Sequence, residues 1–508
     1  MPFSEEKLRF ILGFKLKNLR LANSLSLKDV SKKAGLSISY LSEIEKGKKY
    51  PKAEKLLALA ECYGIGYDEL VTVEDQEGLR PLSASLDSGF FREFPFQLFG
   101  IRAEDLFSFL TSSPDKAGAL IRTFMDIGQT YDISIEQFLF AALRAYQKMH
   151  NNYFEDLESS VRDFTVSNLW KGMAVNAQTL RRFLEKEWNY VIDEDLLVHH
   201  PELNMFRSVF IPSERPRLFV NKKLLPAQKA FVYAKEIGTH ILGIKTRATT
   251  SSWIKVESFD QVLNNFRTSY FAGALLLDKE SLVSGLERIF SEPTWNPQSM
   301  LDLMYQFDAT PEMFFYRIGQ LAYADLGLGN HFFMRIGVKN GERKFEVTKT
   351  LNHTSLSMPG GSRSGEHYCR KWAGVKLLNE RCDQREVAHP DLPARSSPNI
   401  KAQRSLFNEG PERIFTFAMS RTMQLSPEDD SCVILGFQID EAFKKVVKFW
   451  EDPEIEDERV GLTCERCHQS SKECFLRAAA PIEAQMESNV RVFEKALGEL
   501  VAQYSSDD

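Results

Sequence analysis

SLSLKDVSKKAGLSISYLSEIEKGKK, residues 24–49, is the stretch that decides the fold of the N-terminal part of this chain. Leu27, Val30, Ser31 and Ala34 recur at helical spacing and give a first short helix one apolar face. Ser26 stands at the cap position, and Asp29 three residues on supplies the acidic half of a capping box. Gly35 permits the left-handed turn that stops this helix. Ser37 is placed to cap a second helix whose buried stripe is expected to be Ile38, Leu41 and Ile44. Gly47 closes it among lysines, which the negative end of a helix favours. Outward from this pair, residues 3–22 read as a preceding helix burying Leu8, Ile11, Leu12, Leu16 and Leu19. Residues 52–63 and 67–71 read as a fourth and a fifth helix.

Two short helices joined by so tight a turn form a helix-turn-helix, whose second helix lies in the major groove of DNA. Residues 15–71 resemble the Cro/C1-type (XRE) repressor family through YLSEIEKGKKYP at 40–51. Arg20 and Glu45 also fall where that family has an ion pair between its first and third helices. The resemblance implies that base edges are read from Ile38, Ser39 and Glu43, with Ser37 and Tyr40 beside them. Glu43 would accept from a cytosine amino group and Ile38 would meet a thymine methyl. Lys46, Lys48 and Lys49 would contact phosphates of double-stranded DNA, and half-site geometry favours a homodimer.

The 508 residues are 43% hydrophobic and 26% charged, a globular composition with length for several cores. The net charge of −6 argues against indiscriminate coating of nucleic acid, but the charge is uneven. Residues 1–55 hold thirteen Lys and Arg against six Asp and Glu, a balance of +7 that leaves −13 for the remainder. A basic module on an acidic body is the footprint of local phosphate binding. No apolar run approaches the ~20 residues of a membrane helix. YFAGALLL at 270–277 reads as a buried helix, and the N-terminus lacks the apolar core of a signal peptide. A cytoplasmic bacterial protein is expected, with no membrane partner. Its seven cysteines would be reduced, which turns any close-set group toward metal rather than disulfides.

Residues 73–89, polar with Pro and Gly, read as a linker. Residues 102–188 read as almost wholly helical, with Ser134 and Gln137 as a capping box before Phe138, Leu139, Ala142, Leu143 and Tyr146. Strands are then expected at 203–212 and 217–220, and helices from Ala227 and from Phe259. This order, with E-[IL]-G-x-H on the first helix and F-A-x-x-L-L on the second, resembles the ImmA/IrrE metallopeptidase-like domain. Active members carry HExxH, two histidines one turn apart on zinc with the Glu as general base. Aligning Glu236, Ile237 and Gly238 puts Lys235 at the first His and Thr239 at the second. His240 falls one residue late, and Arg267 lies near the place of the downstream acidic ligand. The resemblance therefore implies a degenerate peptidase fold kept as scaffold or ligand pocket.

Beyond residue 329, HFFMRIGV, an Asn340-Gly341 turn and RKFEVTK read as a hairpin. RIFTFAMSR (413–421) and SCVILGFQI (431–439) read as further strands, with Cys432 as core packing. Residues 383–405 read as a loop, and DPEIEDE (452–458) as a solvated acidic surface. A Cro-type head followed by HNNYFEDLE (150–158), FRTSYFAGALLL (266–277), EHYCRKW (366–372) and TCERC (463–467) resembles bacterial regulators of short-chain fatty-acyl metabolism, such as propionate-utilisation regulators. That likeness implies a transcription factor responsive to an acyl-CoA, with an iron–sulfur centre in its C-terminal domain. Cys464 and Cys467 form a CxxC that brings two thiolates to one ion or cluster edge, and Cys474 can close a third side. Cys369 is the best fourth ligand because its motif matches the family, with Cys382, His367 and His468 in reserve. Four thiolates suit a [4Fe–4S] cluster or a structural zinc; spacing does not choose, and the resemblance favours iron–sulfur.

The whole reads as mainly α with an α+β C-terminal part. Its domains are expected at 1–73 (helix-turn-helix), 74–188 (linker and helical connector), 189–290 (ImmA/IrrE-like) and 291–508 (antiparallel-sheet sensor with the cysteine cluster). The expected function is sequence-specific, non-enzymatic transcription regulation. Two rivals are a zinc metallopeptidase acting on a partner regulator, which lacks HExxH, and a redox enzyme using the C-terminal cluster, which lacks a donor motif.

Overall fold

Five short helices come first: α1 (Glu5–Ala22), α2 (Leu27–Ala34), α3 (Ile38–Glu45), α4 (Ala53–Tyr63) and α5 (Tyr67–Val71). The computed structural model describes residues 5–45, 49–71, 95–101, 123, 134–168, 170, 175–247, 249–250, 256, 258–339, 343–356, 367–387, 398–407, 412–464, 467, 469, 474 and 492–497. They divide between two compact units, Met1–Tyr146 with Lys255–Val262, and Gln147–Ile254 with Leu263–Asp508.

In the first unit, α2 starts as its sequence requires. The Ser26 hydroxyl accepts from the Asp29 amide at 3.2 Å, and the Asp29 carboxylate accepts from the Ser26 amide at 2.9 Å. Gly35 ends the helix at φ 66°, a conformation that costs glycine least. Ser31 then donates to the Leu36 carbonyl at 2.6 Å and holds the turn, while Ser37 accepts from the Tyr40 amide at 3.2 Å and caps α3. Leu16, Val30, Leu41, Ile44, Leu59 and Leu70 close one core between the five helices. Ile38, expected in that core, is instead 47% exposed. It stands about 120° around the helix from Ile44, so only Leu41 and Ile44 face inward. The side chains of Leu8 and Ile11 lie outside the described residues, as do the linker at 73–89 and most of 102–133. From Ser134 the chain is helical, and α6 (Ile135–Met149) opens on the Ser134–Gln137 capping box, at 3.2 and 3.0 Å.

Further along come α7 (Glu155–Ser167), α8 (Ala177–Glu187), β1 (Val191–Asp193), β2 (Ser208–Ile211), β3 (Arg217–Val220), α9 (Pro226–Ile241), α10 (Phe259–Leu276), α11 (Lys279–Phe290), α12 (Pro297–Gln306) and α13 (Pro311–Leu321). The small sheet has the order β1-β3-β2, with β1 parallel and β2 antiparallel to β3. The strand β1 had no expectation in sequence, and β2 is shorter than residues 203–212 because 201–205 form turns. Two of the quoted motifs meet here. Asn151 and Asn152 take φ of 51° and 57° and reverse the chain into α7. Tyr270 then donates to Glu158 at 2.7 Å, and Arg317 grips the same carboxylate at 2.6 and 3.0 Å. Arg317 and Glu158 are 1% and 6% exposed, so the pair ties α7 to α13 in a dry interior.

The larger sheet contains β4 (His331–Val338), β5 (Phe345–Asn352), β6 (Asn399–Phe407), β7 (Arg413–Thr422), β8 (Asp430–Gln438) and β9 (Glu456–Val460), in the order β5-β4-β8-β7-β6-β9. Within this sheet, among the described residues, β6 and β9 pair in parallel and the other neighbours antiparallel. The near-continuous apolar runs of β7 and β8 are explained by cover on both faces. Helix α14 (Ala373–Val387) lies on one face and α13 on the other. Trp372, Cys432 and Ile434 share the core under α14, and Cys432 is fully buried, as its strand setting implied. At Gly436 a Cβ atom would lie 2.1 Å from the Phe332 ring, so that crossing needs glycine.

The hairpin of β4 and β5 forms as expected, with a bulge at Arg335/Ile336; its turn at 340–342 lies outside the described residues. Two expectations fail. Of the loop expected at 383–405, residues 383–387 end α14 and 399–405 belong to β6, where Gln403 and Ser405 are buried and bond each other at 2.7 Å. The acidic run is not merely solvated: Glu456 and Glu458 lie in β9 and pair with Lys376 of α14. Among the described residues no helix is long and apolar enough to cross a membrane.

Candidate functional site

The capped turn leaves the N-terminal edge of α3 facing outward. Ser37, Ile38 and Ser39 are exposed there, while Leu41 and Ile44 anchor the opposite side. Arg20 fixes the helix from behind. Its Nε and Nη2 donate to Glu45 at 2.7 and 2.9 Å, and its Nη1 donates to the Leu25 carbonyl at 3.1 Å. The hydrogen bond to Glu45 raises the Arg20 pKa, against some loss from burial. Tyr40 is half-buried against the core, with Lys55 over its ring at 4.1 Å. Glu43 is ion-paired with Lys49 at 2.8 Å, so an expected base reader and an expected phosphate contact hold one another on the surface. Lys46 and Lys48 lie outside the described residues. The arrangement presents small polar and apolar side chains outward, flanked by the exposed Lys49.

The cysteine motifs also converge. Tyr368 and Thr463 form an antiparallel bridge. Around it, Cys369 N–H donates to the Leu462 carbonyl at 3.2 Å and Cys464 N–H to the His367 carbonyl at 2.7 Å. Cys369 and Cys464 are both buried, and Gly461 N–H points at the Cys369 sulfur at 3.4 Å. Cys467 follows within the same turn, its amide donating to the Cys464 carbonyl at 3.3 Å. Burial pushes the Cys369 thiol up to about 11, with the Cys464 and Cys467 thiols adding to the rise. A thiol in such a setting stays protonated, as does any buried cysteine. Among the described residues no group of three or more such ligands is assembled closely enough for an ion. Cys474 is described, but residues 470–473 before it are not.

On α9 the would-be zinc positions hold other chemistry. Lys235 donates to Asn265 at 2.7 Å, and Thr239 donates back to the Lys235 carbonyl at 2.9 Å. Glu236 is gripped by both arms of Arg247 at 2.6 and 2.7 Å and accepts from Tyr190 at 3.1 Å. The Glu236 oxygens are thus directed at Arg247 and Tyr190. His240 stacks on Trp188 at 4.3 Å and meets the Tyr190 hydroxyl at 2.8 Å. Arg267 lies 3.8 Å from Asp156.

Comparison with known proteins matches a helix-turn-helix family model to residues 16–70. The HTH-type transcriptional regulator DdrOP3 of Deinococcus deserti is 40% identical over 57 residues, 11% of this chain and 44% of that protein. This chain thus spans less than half the length of that relative. An uncharacterized HTH-type transcriptional regulator of Sinorhizobium fredii, y4dJ, is 33% identical over 69 residues, 14% of this chain and 90% of that protein. Among solved structures, a Mycobacterium tuberculosis transcriptional regulator aligns with a TM-score of 0.45 at 19% identity, over 67% of this chain and 93% of that one. Through residues 16–70 this chain belongs to the helix-turn-helix family of HTH-type transcriptional regulators, which bind DNA.

Proposed function

We propose that the protein is a sequence-specific transcriptional regulator whose DNA-binding head answers to an acyl-CoA or related metabolite sensed by the C-terminal part. The observation that carries the DNA-binding reading is the exposed edge of Ser37, Ile38 and Ser39, set on a helix that Arg20 locks through Glu45. It acts in the cytoplasm as a homodimer and catalyses no reaction, in four parts: a head at 1–73, a connector at 74–188, a degenerate ImmA/IrrE-like domain at 189–290 and a sensor at 291–508. The Arg247-bound Glu236, with Lys235 and Thr239 beside it, supports a pseudo-peptidase over a peptidase.

Cys369, Cys464 and Cys467, with Cys474, would hold an iron–sulfur cluster of the [4Fe–4S] type, or a structural zinc. The pairing of Tyr368 with Thr463 supports this by bringing the two motifs side by side. A cluster there would supply a redox-sensitive clamp between segments about a hundred residues apart, and zinc a permanent one. Genomic footprinting of the full chain, with and without an acyl-CoA, tests the reading. Discrete sites whose occupancy shifts with the acyl-CoA are expected. Binding that ignores both sequence and acyl-CoA would overturn it.

A further inference from the structure

The second unit contains a cavity of about 210 Å³ whose charges do not balance. Arg207, Lys235, Lys349 and Arg421 line it, and Glu312, in the first turn of α13, is the carboxylate among them. Arg335 reaches Glu312 from β4 at 3.5 Å, and Lys349 from β5 at 3.6 Å. Arg317 also lines the cavity but is neutralised by Glu158, so the four other lining cations and Arg335 share one carboxylate. The nearby Glu236 does not redress this, because Arg247 already neutralises it. The chain converges on this point from five elements and the segment before β2, so the excess is a product of the fold and not of one basic segment.

Arg421 is the second, independent observation. It lies on β7, 8% exposed, and lines the cavity. Among the described residues no hydrogen bond or ion pair engages its guanidinium, although a buried arginine has five donors to satisfy. Burial lowers its pKa to about 10, and Arg207 and Arg335 push the same way against Glu312. Lys235 behaves alike: burial, then Arg247, Arg207 and Lys349, bring it to about 8 despite Glu236. Glu312 shows the converse. Burial alone would raise its carboxyl, but Arg335, Lys349, Arg207 and Arg421 together hold it at about 2. An unpaired buried cation is costly, and Arg421, ringed by further cations that share one carboxylate, is retained where an incoming anion completes it.

We propose that this cavity binds a small ligand carrying two or more negative charges, a phosphate ester or a polycarboxylate, between Arg207, Lys235, Lys349 and Arg421. The polar partners Asn265, Thr310 and Gln320 line the same space and can orient its oxygens. The volume lies below the roughly 300–1,000 Å³ of drug-sized pockets, which selects a compact anion or the charged end of a longer molecule. Lys349 also lies over the Tyr316 ring at 3.8 Å, which fixes its ammonium at the cavity wall.

The assignment deepens the effector reading, yet it is tested without DNA, so the two can fail separately. Calorimetry on the full chain would use pyrophosphate, citrate and coenzyme A as probes, with acetate as a singly charged control. At least one multivalent probe is expected to bind at one site per chain and acetate not to bind. Preference for pyrophosphate marks phosphate recognition, preference for citrate marks carboxylate recognition, and preference for coenzyme A over both marks a longer ligand entering by its phosphates. Arg421→Gln and Lys349→Gln should each weaken the preferred probe at least about tenfold, or 1.4 kcal/mol. Arg421→Gln without ligand should melt no lower than the parent, since it relieves repulsion, which separates lost binding from lost folding. No binding of any multivalent probe at about 1 mM, or affinity unchanged in a folded Arg421→Gln protein, overturns the proposal.

Discussion

Arg20→Ala removes one charge from a pair that is otherwise almost dry. The two side chains are 13% and 9% exposed, and the substitution deletes two bonds to Glu45 and one to the Leu25 carbonyl. What remains is a buried Glu45 carboxylate with no other cation bonded to it among the described residues. Breaking a buried pair from one side costs roughly 3–5 kcal/mol, and the residual exposure places this case near 3. A head spanning residues 5–71 has a total stability of roughly 3–10 kcal/mol, so the loss is comparable with the whole. The head's own transition should fall by roughly 12–24 °C. Hydrogen exchange on the full chain reads this directly, because peptides within 5–71 report the head alone. Protection there should drop by about two orders of magnitude while the large sheet is unaffected. Glu45→Ala should behave similarly, and the double substitution should cost less than the sum of the two. Protection in Arg20→Ala within a few-fold of the parent would refute the pair's structural role.

Glu43→Ala should relax base preference in selections from randomised operators, whereas Lys48→Ala should weaken all sequences alike and lower the salt slope by about one; uniform losses in both would remove Glu43 from readout. Protein isolated without oxygen should be brown and Cys467→Ser colourless; a colourless parent holding one zinc per chain would make the site structural, and one holding no metal would end both versions. His331 and His353, stacked at 4.6 Å, are held by burial at about 4 and about 3, with each other's proximity and Lys148 adding to the shift of His353. Both folded values lie below the ordinary 6.5, so the unfolded chain takes up protons first and stability present above pH 6.5 is lost as the pH falls toward 4. For His331 the full loss is about 3 kcal/mol, and the slope of the urea midpoint against pH should flatten in His331→Gln.

The head was legible because each of its signals is local. A cap three residues from its acid, a glycine after the last apolar residue and an ion pair at family positions all survive without knowledge of the rest. Strands β7 and β8 were legible for a similar reason, since burial on both faces writes a continuous apolar run. Strand β6 was not, because its inward positions include Gln403 and Ser405, which hydrogen-bond one another and look like loop residues in sequence. Strand β9 was hidden by its acids, whose shared partner Lys376 sits about eighty residues upstream. Of the cationic cavity only Lys235 drew notice, through the likeness to a degenerate peptidase; Arg207, Lys349 and Arg421 stand in unrelated segments. The convergence of EHYCRKW with TCERC was anticipated only through family likeness; the backbone bridge that produces it has no signature in either motif.

The parallel pairing of β6 with β9 sets a timetable for synthesis. Roughly fifty residues separate the two strands, and a ribosome adding about 5–20 residues per second delivers the second some 3–10 s after the first. During that interval β6 already has β7 beside it but offers its other edge, Gln403 to Phe407, to any strand in the vicinity. The lysine that awaits β9, Lys376, emerges earlier still and has no acid to meet. An exposed edge of this kind is a nucleus for mispairing between nascent chains. Pauses placed between codons 407 and 456 should therefore lower the soluble yield of the protein, whereas pauses after 460 should not.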